Sequence, residues 1–326
     1  MAKKEISEKE NMLLLLAGEK PAWLPTNTEA FTGGGYRGVL ARKQDSATGY
    51  NVDIFGVKFT QTIDGPIPVN TQTQDFELKD ITKWKSIMPA VDLASINWEE
   101  EAATIKSTFK EDRLINFSAG TVWEQLHYMM GFEEALAALA EEPEATQECL
   151  FAIADFWIDA LRRITKYLKP DLIMFMEHVA TARGLLMSPK AYREIIKPVH
   201  KRMYDAILEI GAIPQMHVDG WVDEIVPDYA ELGIKVIQPF QVFNDIEGAK
   251  KKYGITAIGG WNAIGPGNQA TTTEEQARAS VRLAMDTYGP TYRYCFWESG
   301  ITPRYANVAV WIKDEAVKYG ESFYDK

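Results

Sequence analysis

His217-Val218-Asp219 is the segment of this sequence best equipped for chemistry. An imidazole and a carboxylate two positions apart share one side of an extended chain, so both can reach one metal ion or one substrate atom. Both groups are ordinary zinc ligands, and carboxylate oxygens also suit harder ions. The other chemistry open to the pair is an aspartate that orients a general-acid histidine. Two further carboxylates end apolar runs: Glu177 after Leu172-Ile173-Met174-Phe175-Met176, and Glu298 after Phe296-Trp297. Each is a candidate ligand, or a general acid kept protonated by apolar surroundings. Each also suits the plainer task of capping the next helix. Glu177, His217, Asp219 and Glu298 are the candidate catalytic residues. His217, Asp219 and Glu298 form the candidate metal set.

Aromatic and amide side chains gather near the same segments: Trp123, Phe240, Gln241, Trp261, Asn262, Trp297 and Tyr305. Together they suit a flat, apolar pocket for a ring-shaped substrate. A polycarboxylate would want several arginines in one place. Arg37, Arg42, Arg183 and Arg304 are dispersed along the chain.

The elements that must position these groups alternate regularly. Residues 114–118, 171–177, 213–217, 234–238, 255–260 and 292–298 read as strands, with long helical stretches between most of them. A further strand is expected at 23–25. Such alternation predicts a parallel sheet covered by helices, and the length suits an α/β fold of the (β/α)8 TIM-barrel type, which needs roughly 250 residues. The rival is an open doubly wound sheet. It wants a glycine-rich phosphate turn after its first strand, and Gly33-Gly34-Gly35 lacks that spacing. Barrel sites lie at the C-terminal ends of the strands. Those ends carry Ser118, Glu177, His217 with Asp219, Gln238 with Gln241, Asn262 and Glu298. Residues 31–97 read as a β-hairpin-containing insertion over the barrel, and 1–326 as one domain.

Composition bounds the function classes. Of 326 residues, 46% are hydrophobic and 25% charged, as in a globular protein. Lys and Arg number 35 against 46 Asp and Glu, a net charge of -11, so nucleic acid is not an expected partner. The apolar run 12–17 is too short to span a bilayer, and the first residues lack a signal-peptide core. Two cysteines, Cys149 and Cys295, make no disulfide framework. A cytoplasmic protein without a membrane partner is expected.

Several segments resemble the uroporphyrinogen decarboxylase superfamily: residues 9–25, Leu186-Met187-Ser188-Pro189-Lys190, His217-Val218-Asp219-Gly220, 254–262 and 299–307. The resemblance implies a TIM barrel. The superfamily holds decarboxylases and corrinoid-dependent methyltransferases. Its true decarboxylases carry an arginine-rich N-terminal motif that residues 32–42 do not match. Its thiol-methylating members bind zinc through His-x-Cys and a later Cys before Gly. Here His217 matches the histidine, while Asp219 and Ser299 stand where the cysteines would be. Thiolate ligands suit thiolate acceptors, whereas a His/carboxylate set suits polarising an oxygen. The resemblance therefore implies the methyltransferase component of an O-demethylase of anaerobes. Such a protein takes a methyl group from a small methoxylated aromatic donor and gives it to cob(I)alamin on a corrinoid carrier protein. Cobalamin would be held by that partner, and zinc is the candidate metal. The alternatives are a decarboxylase of a cyclic or aromatic acid and a ligand-binding barrel without chemistry.

Overall fold

The computed structural model describes residues 6–62, 65–298 and 305–325. Short apolar runs become strands: β1 (Phe31–Gly34), β2 (Lys43–Gln44), β3 (Asn51–Val52), β4 (Lys58–Thr62), β5 (Gly65–Pro68), β6 (Leu114–Gly120), β7 (Leu172–Met176), β8 (Ala180–Thr181), β9 (Gly184–Leu185), β10 (Ile213–His217), β11 (Val236–Phe240), β12 (Thr256–Gly259) and β13 (Tyr294–Phe296). Seven of them pair in parallel in the order β1-β6-β7-β10-β11-β12-β13. The segment leading into β1 also bridges to the last strand: Thr26 pairs with Phe296, whose N–H donates to the Pro25 carbonyl at 3.0 Å. The sheet thus curls into the expected α/β barrel.

Two expectations are corrected: residues 23–25 form no strand, with only the single bridge at Thr26, and the insertion starts later than residue 31. Phe31–Gly34 is a barrel strand, not the start of the insertion. Glycine is depleted in strands, so its sequence reads as a turn. The geometry explains its glycines: a Cβ on Gly33 would lie 1.8 Å from the Asn116 carbonyl oxygen. Only a residue without a side chain lets β1 close onto β6.

The barrel interior is layered by the two-residue period of its strands. One interior layer, next to the N-terminal helix, holds Leu114, Leu172, Val236, Ile258 and Cys295. That helix, Glu8–Ala17, opened by a Ser7/Glu10 capping box, covers this layer with Met12 and Leu15. Two positions further along come amides. Asn116 Nδ2 donates to Gln215 Oε1 at 3.1 Å, and Gln215 Nε2 donates to Gln238 Oε1 at 2.7 Å. Buried polar groups must find partners, and here they find one another. The same period carries His217 to the mouth.

Around the barrel, the helix Pro143–Leu168 starts with proline in its first turn and buries Cys149, Ile153, Trp157, Leu161, Ile164 and Leu168 at helical spacing. Strands β2 to β5 form a separate antiparallel sheet. Its buried Phe55, Val57 and Phe59 join the main core. Gln125 Nε2, on the helix after β6, fastens it by donating to Asp53 Oδ2 at 3.0 Å. The insertion is therefore a four-stranded meander that begins after β1. Among the described residues no helix is long and apolar enough to cross a membrane.

Candidate metal centre and aromatic cleft

Strands β7 and β10 are neighbours, with His217 opposite Met176. Beyond their ends the two chains stay locked together. Trp221 N–H donates to the Thr181 carbonyl at 2.8 Å. Gly220 has a positive φ of 105°, and a Cβ there would meet the Ala180 backbone at 2.6 Å. Glycine at this position lets the loop after Asp219 lie directly on the hairpin after His178. The consequence is a cluster of His178, His217 and Asp219, each offering one ligand atom, all within 4.8 Å of one another. His178 Nε2 lies 3.0 Å from Asp219 Oδ2. The two imidazole rings meet edge to face at 5.2 Å.

Electrostatics prepare the cluster for a cation. Burial pushes His217 down to about 4, with His178 adding to the effect and Asp219 and Gln238 opposing it. His217 is thus a neutral imidazole near neutral pH, the form that ligates a metal. Its Nδ1 is buried without a hydrogen-bond partner. Burial raises Asp219, but the adjacent His178 and His217 imidazoles outweigh it, and the carboxyl ends below its ordinary value. Two imidazole nitrogens and one carboxylate oxygen fit a zinc-like divalent ion, and both imidazoles keep a buried nitrogen without a hydrogen-bond partner.

The structure distributes the expected residues differently from the sequence reading. His217 and Asp219 stand together as expected. Glu298 does not join their cluster. It is 5% exposed, accepts from the Thr28 hydroxyl at Oε1, and its N–H donates to Asn27 Oδ1 at 3.0 Å. Burial, opposed by the Thr28 hydrogen bond, holds its carboxyl above the ordinary range. His178 stands in the ligand set in its place. Glu177 is fully buried, and its carboxylate accepts the backbone N–H groups of Val122 at 2.5 Å and Trp123 at 3.0 Å. That is a helix-capping task, and His200 Nε2 lies 3.5 Å away. The physical reason is strand parity. In β7, Leu172 and Met174 face the barrel interior, so His178 does too and Glu177 faces the helices. Sequence reasoning picked the charged residue and passed over its neighbour, although counting in twos from Leu172 identifies it.

Five of the seven expected substrate residues line one narrow cleft: Phe240, Gln241, Trp261, Asn262 and Trp297. Its interior is about 40 Å³. Gln241 Oε1 accepts the Gly220 N–H at 2.6 Å, which ties the cleft to the loop carrying Asp219. The rim residue Ile264 is 77% exposed. Trp123 and Tyr305 are not part of this cleft. Trp123 is 1% exposed beneath the helix it begins, and Tyr305 packs against the main core. Ser299 and Arg304 lie outside the described residues.

Comparisons with known proteins agree with this architecture. No curated protein sequence matches the chain. Among solved structures, a methyltransferase from Methanosarcina mazei superposes with a TM-score of 0.66 at 15% identity, covering 97% of this chain and 99% of that one. A Xaa-Pro dipeptidase with bound methionine in the active site reaches a TM-score of 0.35 at 13% identity, over 90% of this chain and 72% of that one. At such identities the first likeness establishes the fold alone. The family model described as uroporphyrinogen decarboxylase (URO-D) matches residues 53–295, well over half of the sequence and nearly all of the barrel, and the chain belongs to that family.

Proposed function

We propose that this protein is the methyltransferase component of an O-demethylase, moving a methyl group from a methoxylated aromatic compound to cob(I)alamin on a corrinoid carrier protein. The observation that carries this reading is the His178–His217–Asp219 cluster at the barrel mouth, tied through Gln241 to an aromatic cleft. In the reaction the methyl–oxygen bond breaks, the oxygen keeps the electron pair, and the aryl group leaves as a phenolate. His178, His217 and Asp219 would hold a divalent ion, which would supply Lewis acidity beside the developing charge. Phe240, Trp261 and Trp297 hold the aromatic ring and exclude water. With so little interior space, the cleft admits a ring only when side chains at its rim move, and exposed Ile264 is placed to do so. A decarboxylase would need a basic grip on its carboxylate. The described residues lining the cleft include neither Arg nor Lys, which favours an uncharged ether.

The test is anaerobic mixing of the protein with cob(I)alamin, free and on a carrier, and a panel of methoxylated aromatics. Absorbance should show methylcobalamin growing with one donor, in step with the matching phenol. His217→Ala should abolish the signal. No product from any donor with a competent carrier present would overturn the reading.

A further inference from the structure

The Glu124 side chain ends in a carboxyl group yet is only 3% exposed, and such a group is stable in the interior only when it is paired and hydrogen-bonded. It is the second residue of the helix Trp123–Met130. Its Oε1 contacts His178 Nδ1 in a direct hydrogen bond. Its Oε2 accepts from the Tyr128 hydroxyl at 3.2 Å and from the Thr121 hydroxyl at 3.5 Å. The start of that helix is itself fixed by Glu177, which holds the N–H groups of Val122 and Trp123. A chain of contacts therefore runs from Glu177 through the helix start to Glu124, then to His178, and ends at Asp219. A histidine whose one nitrogen donates to a carboxylate keeps its proton there and presents the other nitrogen to a metal.

We infer that Glu124 is the positioning residue of this centre: it retains the Nδ1 proton of His178 and aims Nε2 at a divalent cation shared with His217 and Asp219. The inference rests on the metal reading of the cluster given above. A merely structural Glu124 would lower fold stability equally with and without metal. A positioning Glu124 changes how the metal is held.

Three measurements separate these roles: zinc affinity by competition with a chromophoric chelator, the visible absorption of the cobalt(II)-loaded protein, and urea stability without metal. Glu124→Ala should weaken zinc binding roughly 10–100-fold and alter the cobalt spectrum. Glu124→Gln, whose amide oxygen still accepts the Nδ1 proton, should restore most of the affinity. Tyr128→Phe removes a different partner of the same carboxylate and should leave affinity within a few-fold. Where Glu124→Ala does not fold, Glu124→Asp carries the test, since its shorter side chain breaks the contact with His178. Wild-type affinity and spectrum in the Ala or Asp variant would overturn the inference while leaving the metal reading intact. Failure of the wild-type protein to bind zinc or cobalt would overturn both.

Discussion

His127 shows what burial does to a single side chain. Its ring sits among Trp123, Tyr128 and Phe132, at centroid distances of 6.0, 4.7 and 5.6 Å. Burial pushes it down to about 4. The folded-state value lies below the unfolded one, so the folded protein binds fewer protons in the window between them. The stability linked to this group is fully present above the unfolded value and is lost as pH falls towards 4. His127→Phe keeps the packing and removes the proton site. The variant should lose about 2 kcal/mol less than the wild type between about pH 7 and pH 5. Urea denaturation at both values measures this, and parallel losses in the two proteins would refute it. The same scale decides how far the site was legible. His217 and Asp219 were found because their spacing is itself a signal. His178 and Glu124 were missed because one depends on strand parity and the other on a helix that reaches the site only in three dimensions.

Elements carry the next level of order, and the seam of the barrel depends on one buried amide. Asn11 is fully buried on the helix Glu8–Ala17. Its Nδ2 donates to the Trp23 carbonyl at 3.0 Å, and its Oδ1 accepts from Ala22 N–H at 2.7 Å and Trp23 N–H at 3.3 Å. These bonds hold the segment whose Pro25 and Thr26 meet the last strand. Asn11→Ala strands three backbone groups and should cost about 2–3 kcal/mol. Asn11→Asp keeps the acceptor for Ala22 and Trp23 but sets an oxygen against the Trp23 carbonyl and buries a carboxylate, so it should cost at least as much. Hydrogen exchange at the Phe296 amide, which donates across the seam, should accelerate in the Ala variant. Unchanged protection there would show that the seam closes without Asn11. The six later strands were legible because apolar runs between amphipathic helices have no other reading. Phe31–Gly34 was not, because its glycines answer to the neighbouring strand and not to local propensity.

At the scale of the whole molecule, a ligand that binds only the folded barrel must raise its stability, and the amount reports which residues hold it. His178 and His217–Asp219 come from two strands that are far apart in sequence, so the unfolded chain offers no comparable site. Zinc at about a hundredfold excess over its dissociation constant should therefore stabilise the fold by about 2.7 kcal/mol. For a chain of this size that corresponds to a melting temperature higher by about 4 °C. The rise should vanish in His217→Ala and in His178→Ala. It should persist in Glu298→Gln, because Glu298 hydrogen-bonds Thr28 and stands outside the cluster. The sequence alone put Glu298 in the metal set and omitted His178, so the two variants set the linear reading against the folded one. A rise that survives His178→Ala and disappears in Glu298→Gln would return the metal to the set expected from sequence and would remove the role assigned to Glu124.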